Sequence, residues 1–180
     1  MFKTHFRLAE LVLIAVAALS LLVAVAPARA RPRDSLTATF TIHFPKGHPA
    51  SNAPCDPDAF CGVGAVAGDG PATISILDET FDEVPGSQCL AVTRIERIDL
   101  LDGSGSLALE SAGTFCRPGG SGNSHASNSS YGFPGRFDLR FTVVAADSSG
   151  IYAGAWGDGT ETMDVDGGSG VWHLDGVVHR

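Results

Sequence analysis

The stretch from Cys89 to Cys116, CLAVTRIERIDLLDGSGSLALESAGTFC, constrains the fold more than any other part of the chain. Two runs of mixed apolar and polar residues flank Asp102-Gly103. Asp-Gly is a strong signal for a two-residue hairpin, because a type I′ turn needs positive φ at both central residues. With that turn, Leu101 faces Ser104 and paired positions sum to 205, and Cys89 and Cys116 meet the same sum. Turn chemistry and cysteine spacing thus predict one register and a Cys89–Cys116 disulfide. In the ideal hairpin this is a hydrogen-bonded pair with Cα atoms about 5.5 Å apart. A β-bulge in strands this long would shift the pairing.

Strand signals continue along the chain, and no convincing helix follows the first thirty residues. LTATFTIHF alternates strictly, with Leu36, Ala38, Phe40, Ile42 and Phe44 on one face and Thr37, Thr39, Thr41 and His43 on the other. That is the period of a half-buried strand. VGAVAGDGPATISIL reads as two short strands around Gly68-Asp69-Gly70, with a turn near Pro85-Gly86 beyond them. RFDLRFTVVAA places Phe137, Leu139, Phe141 and Val143 on one face. GTETMDV and VWHLDGVVH complete a count of about eight strands. Short antiparallel strands joined mostly by tight turns point to an all-β barrel or sandwich. Two segments break the pattern, a Pro-rich cysteine loop over 45–61 and a Gly/Ser-rich loop over 117–135.

Residues 1–30 read as a signal peptide. Lys3 and Arg7 precede a sixteen-residue apolar run, Leu11 to Ala26, and Ala28-Arg29-Ala30 has the small-x-small pattern of a cleavage site after Ala30. The run is shorter than the roughly 18 or more residues usual for a spanning helix. The expected product is a secreted or periplasmic single domain, 31–180, with no membrane contact after cleavage. It carries 9 basic and 19 acidic residues, a net charge of −10. Such a surface repels phosphate backbones, so nucleic acid is not an expected partner. Four cysteines in an exported chain predict two disulfides. If Cys89 pairs with Cys116, Cys55 pairs with Cys61. The C-x5-C spacing and the absence of H-x3-H argue against a zinc site, and no metal or cofactor is expected.

DSSGIYAGAWGDGT packs Gly150, Gly154, Gly157 and Gly159 around Tyr152. Glycines on strongly bent strands remove side chains that would collide with neighbours. SGIYAGAWGDGT resembles the glycine-rich hairpin of the allene oxide cyclase barrel-like superfamily, which includes the dirigent proteins. Gly150, Tyr152, Gly154, Ala155 and Gly157 follow that order, with Ser149 and Ile151 departing from it. The resemblance implies an eight-stranded antiparallel β-barrel and the chance of a homo-oligomer. It implies no catalytic residue, because the matching positions are structural.

Chemistry-bearing candidates are few. In the 205 register Arg94 and Glu96 fall mid-strand on the apolar face with Leu90, Val92, Ile98 and Leu100. Buried there, they must be paired, and paired charges in a cavity orient a ligand. A bulge would instead return both to solvent as ordinary surface charges. Tyr152, Trp156 and Trp172 are candidate ligand-lining aromatics, or plain core packing, while His173 should point outward. No G-x-S-x-G elbow or other nucleophile signature is present. Three functions stay open: a barrel binding a small apolar or aromatic molecule, a cofactor-free cyclase or isomerase using Arg94 and Glu96, and a non-catalytic extracellular structural or interaction module.

Overall fold

A computed structural model describes residues 33–43, 60–117, 134–166 and 169–180. All regular structure among them is β: β1 (Arg33–His43), β2 (Phe60–Val66), β3 (Gly70–Glu83), β4 (Cys89–Leu100), β5 (Gly105–Cys116), β6 (Gly135–Val143), the two-residue β7 (Ser149–Gly150), β8 (Trp156–Asp166) and β9 (Ser169–His179). Each long strand pairs antiparallel with the next, β6 with β8, β4 with β5, and β9 with β1. Eight strands therefore close on themselves as an up-and-down barrel, and closure removes the unpaired edges that invite aggregation.

Strict alternation determines what fills the barrel. Leu36, Ala38, Phe40 and Ile42 of β1 are buried, as are Phe137, Leu139, Phe141 and Val143 of β6. Their partners Trp172 and Leu174 on β9 and Met163 on β8 point the same way, as does Val165, two residues beyond Met163. Each such large side chain taken from water stabilises the fold by about 1.5–3 kcal/mol before entropy is counted. His173 is outward, with Nδ1 3.0 Å from Thr39 Oγ1.

The hairpin keeps the predicted register from Cys89↔Cys116 to Asp99↔Ser106, and the Cys89–Cys116 disulfide is formed. Its turn differs from expectation. Only Gly103 takes positive φ, at 76°, while Asp102 does not. Asp102 instead uses its carboxylate to accept the Ser104 N–H at 2.8 Å, and Gly103 N–H bonds Leu100 C=O. This wider turn avoids the left-handed conformation that costs a residue with Cβ. The cysteine Cα atoms are 4.3 Å apart, the spacing of a non-hydrogen-bonded pair rather than the expected 5.5 Å. Cys61 is buried and disulfide-bonded, whereas Cys55 lies outside the described residues. So do residues 1–30, expected to be a leader, and most of the segments 45–61 and 117–135, expected to be loops.

One irregularity decides the interior. β4 and β5 contain no bulge, but β3 does: pairing runs to Ile76↔Glu96 and resumes at Asp78↔Ile95. Leu77 is the extra residue and is 51% exposed. Beyond it the parity of β3 is reversed, so Glu79 and Phe81 turn inward opposite Arg94 and Val92. β3 also runs on to Glu83 rather than stopping as a short strand.

The glycine-rich segment closes the lower end, where the β2–β3 and β4–β5 turns also lie. Gly150 has φ +60°, and a Cβ there would stand 2.0 Å from Ser104 O. Gly159 serves a second purpose, since its Cβ would lie 2.4 Å from the Phe141 ring. The turns that follow Gly150 drop Tyr152 and Ala155 fully into the barrel base.

Candidate functional site

Four strands bring a charged cluster to the middle of this apolar interior. Arg94 and Glu96 come from β4, Glu79 from β3 by way of the bulge, Ser111 from β5 and Glu161 from β8. Arg94 is 2% exposed, and Glu96 and Glu161 are wholly buried. The absence of a bulge in β4 thus decides against the surface placement of Arg94 and Glu96. Arg94 Nε donates to Glu79 Oε1, and Arg94 Nη1 donates to Glu161 Oε1 at 3.2 Å. Glu96 Oε1 is 3.6 Å from the same Nη1, too far for a hydrogen bond. The guanidinium also lies over the Phe137 ring, 4.0 Å from its centre, and 5.5 Å from the centre of the Trp172 ring. Such stacking suits arginine, whose delocalised charge is weakly hydrated.

Ser111 joins the two buried carboxyls. Its Oγ is 2.8 Å from Glu96 Oε2 and 2.8 Å from Glu161 Oε2. Glu96 is held well above the usual carboxylate range, first by burial and then by the neighbouring charge of Glu161, against the opposing pull of Arg94. Among the described residues three buried side-chain atoms have no hydrogen-bond partner: Glu96 Oε1 and Trp172 Nε1 in the interior, and Arg180 Nε at the base, 3.6 Å from Asp34 Oδ2. Buried donors and acceptors are nearly always matched, so the two unmatched ones in the interior mark a place where polar chemistry from outside the chain fits.

The apolar surroundings are graded. Towards the end that carries the disulfide, Phe115 and Phe137 pack at 4.4 Å between ring centres, and Phe81 meets both at 6.4 and 6.3 Å. Phe60, Phe81 and Leu90 are only partly buried there. At the base Tyr152 is fully buried, and its hydroxyl donates to Asp69 Oδ2. Arg180 Nη1 and Nη2 donate to the same carboxylate, and the guanidinium lies 4.7 Å from the Tyr152 ring centre. Burial pushes the Tyr152 hydroxyl up, and the bond to Asp69 raises it further. Tyr152 is therefore engaged as a latch. Trp156 lies on the outside, 56% exposed and stacked 3.8 Å from the His179 ring. Of the three aromatic candidates, Trp172 alone joins Arg94 and Glu96.

Sequence reasoning found Arg94 and Glu96 and missed Ser111, Glu161 and Glu79. Two of these were within reach. Ser111 is opposite Arg94 in the 205 register, and Glu161 shares the parity of Met163 and Val165. Glu79 was not, because its inward position depends on the bulge. On the outer wall, a groove of about 640 Å³ crosses β3 to β6, lined by Thr80, Thr93, Ile95, Ala112, Arg140 and Thr142 among others. Among the described residues no cluster of His, Cys, Asp and Glu has the arrangement of a metal site, and no helix is long and apolar enough to cross a membrane. Comparison with family models, curated proteins and solved structures yields no match.

Proposed function

We propose that this chain is an exported barrel that binds a small, mainly apolar or aromatic molecule carrying one hydrogen-bonding group. The observation that carries this reading is the pair of unmatched buried atoms, Trp172 Nε1 and Glu96 Oε1, inside a barrel whose upper lining is phenylalanine and leucine. Ligand pockets characteristically combine an apolar lining with few convergent polar groups. A ligand oxygen accepting from the indole N–H would match a donor that otherwise remains desolvated without a partner, a state that costs about 1–3 kcal/mol. The polar group selects the molecule, and the phenylalanine-lined half contributes most of the affinity.

Native and denaturing mass spectrometry of protein recovered from its own culture medium tests this directly. The expected result is a native mass exceeding that of the polypeptide, with the excess released on denaturation. Replacing Trp156 with Phe leaves Trp172 as the only tryptophan, a reporter inside the barrel. Titration with N-phenyl-1-naphthylamine should then quench Trp172 emission saturably. An unliganded native mass together with no saturable quenching rejects the binding reading.

A second reading has one observation in its favour. A buried carboxyl beside an arginine, held well above its usual range by burial and by Glu161, is the kind of group that serves as a general acid for a cyclase or isomerase. On that reading Glu96→Gln abolishes turnover of a substrate and leaves the fold intact.

A further inference from the structure

The hydrogen atoms around Ser111 do not suffice for the contacts observed. A serine hydroxyl has one hydrogen to donate, yet Ser111 Oγ lies 2.8 Å from an oxygen of each buried carboxyl. If both carboxyls are ionised, one of these contacts sets two acceptor oxygens against each other in a low-dielectric interior. A single added proton resolves the conflict. Glu161 is the carboxyl bonded to the Arg94 guanidinium, whereas Glu96 has no hydrogen bond from it. The proton therefore belongs on Glu96, giving the chain Glu96 O–H to Ser111 Oγ, Ser111 O–H to Glu161, and Glu161 carboxylate to Arg94.

We infer that Glu96, Ser111 and Glu161 store one proton in a hydrogen-bonded chain, and that loss of this proton on going from acid to alkaline solution loosens the barrel. Among the described residues, the groups that face Glu96 leave it no other charge partner. Arg94 shares its strand, Glu79 approaches from β3, Ser111 from β5 and Glu161 from β8. Among the described residues β1, β2, β6 and β9 send no charged side chain inward, and Trp172 and Phe137 present ring atoms. Among the described residues one guanidinium thus serves three carboxyls, and Glu96 is neutral only while it holds its proton. The device does not depend on any ligand and stands whether or not the binding reading holds.

The sign follows from linkage. A carboxyl held above its ordinary range binds a proton in the folded chain that the unfolded chain has released. Its stabilising effect is complete below about pH 4.3, where the unfolded carboxyl is also protonated. It diminishes as pH rises and is gone above the folded titration point. Within that window the unfolding equilibrium constant rises about tenfold per pH unit from this one proton.

The test compares the intact protein with Glu96→Gln, in which the amide N–H donates to Ser111 in place of the acid O–H. Denaturant unfolding measured from pH 4 to 9 should show a slope one proton steeper in the wild type than in the variant. Carboxyl-carbon NMR of the glutamate-labelled wild type supplies a readout that does not require the variant to fold. One glutamate should keep the chemical shift of the protonated acid at pH 6 and titrate above the others. Equal slopes in the two proteins, or ionisation of every glutamate by pH 6, overturns the inference.

Discussion

At the base of the barrel a guanidinium and a tyrosine hydroxyl converge on one carboxylate: both oxygens of Asp69 accept bonds from Arg180, and one also accepts from Tyr152, while Arg180 Nε lies 3.6 Å from Asp34 without a hydrogen bond among the described residues. Half-way up the barrel the same kinds of group meet again with different counts. There, among the described residues, one guanidinium stands among three carboxyls, one hydroxyl serves two of them, and an acceptor and an indole donor remain unmatched. The titration behaviour follows the counts. Burial pushes Asp69 up, but the bonds from Arg180 and Tyr152 and the charge of Arg180 together hold it below its ordinary value. Burial pushes Glu96 up as well, and there the adjacent Glu161 adds to the effect. The donors that converge on Asp69 hold the glycine-rich segment in place through Tyr152. The surplus of acceptors above it is what makes the middle of the barrel a candidate site.

The strongest way to break this contrast is to remove the cation on which the upper cluster depends. Arg94→Met should cost about 3–5 kcal/mol in denaturant unfolding, because it leaves buried carboxylates uncompensated. A loss below about 1 kcal/mol would show that the cluster is solvated in solution. Asp69→Asn should cost less, about 1–2 kcal/mol at neutral pH, since the base is nearer solvent and the amide keeps part of the bonding. Its pH signature should have the opposite sign to that of Glu96. A carboxylate held below its ordinary range contributes fully above about pH 4 and loses that contribution as pH falls through its folded value. Asp69→Asn should therefore flatten the acid limb of the stability profile, read by unfolding between pH 2 and 5. Tyr152→Phe keeps the ring and deletes one bond to Asp69, for about 1 kcal/mol. Trp156→Phe, on the outer surface, should shift stability by less than about 0.5 kcal/mol, which separates the exposed tryptophan from the buried one.

Much of the barrel was legible because alternation, turn chemistry and cysteine spacing are local. Phe137, Leu139 and Phe141 could face only one way once β6 was read as a strand, and the 205 register followed from residues 27 positions apart. Part of the site was legible by the same means, since the register alone sets Ser111 against Arg94. The turn between β4 and β5 was misjudged in detail: the Asp102 side chain accepts the Ser104 N–H, a choice that an Asp-Gly pair leaves open. The partner of Cys61 and the roles of the two long loops belong to residues outside those described.

By itself the sequence determined which residues could share a face, that about eight strands would build a barrel or a sandwich, and that a mid-strand Arg94 and Glu96 would be buried if no bulge intervened. Periodicity carries that much, because a side chain's face depends on parity alone. Only the tertiary structure decided where the bulge fell. A single extra residue in β3, Leu77, reverses the parity of everything after it and brings Glu79 to Arg94. Only closure of the barrel brought Glu161, 67 residues further along the chain, into contact with that guanidinium. Parity is a property of a strand, whereas the charge count of a buried cluster is the sum over strands that meet only when the sheet has curled round on itself.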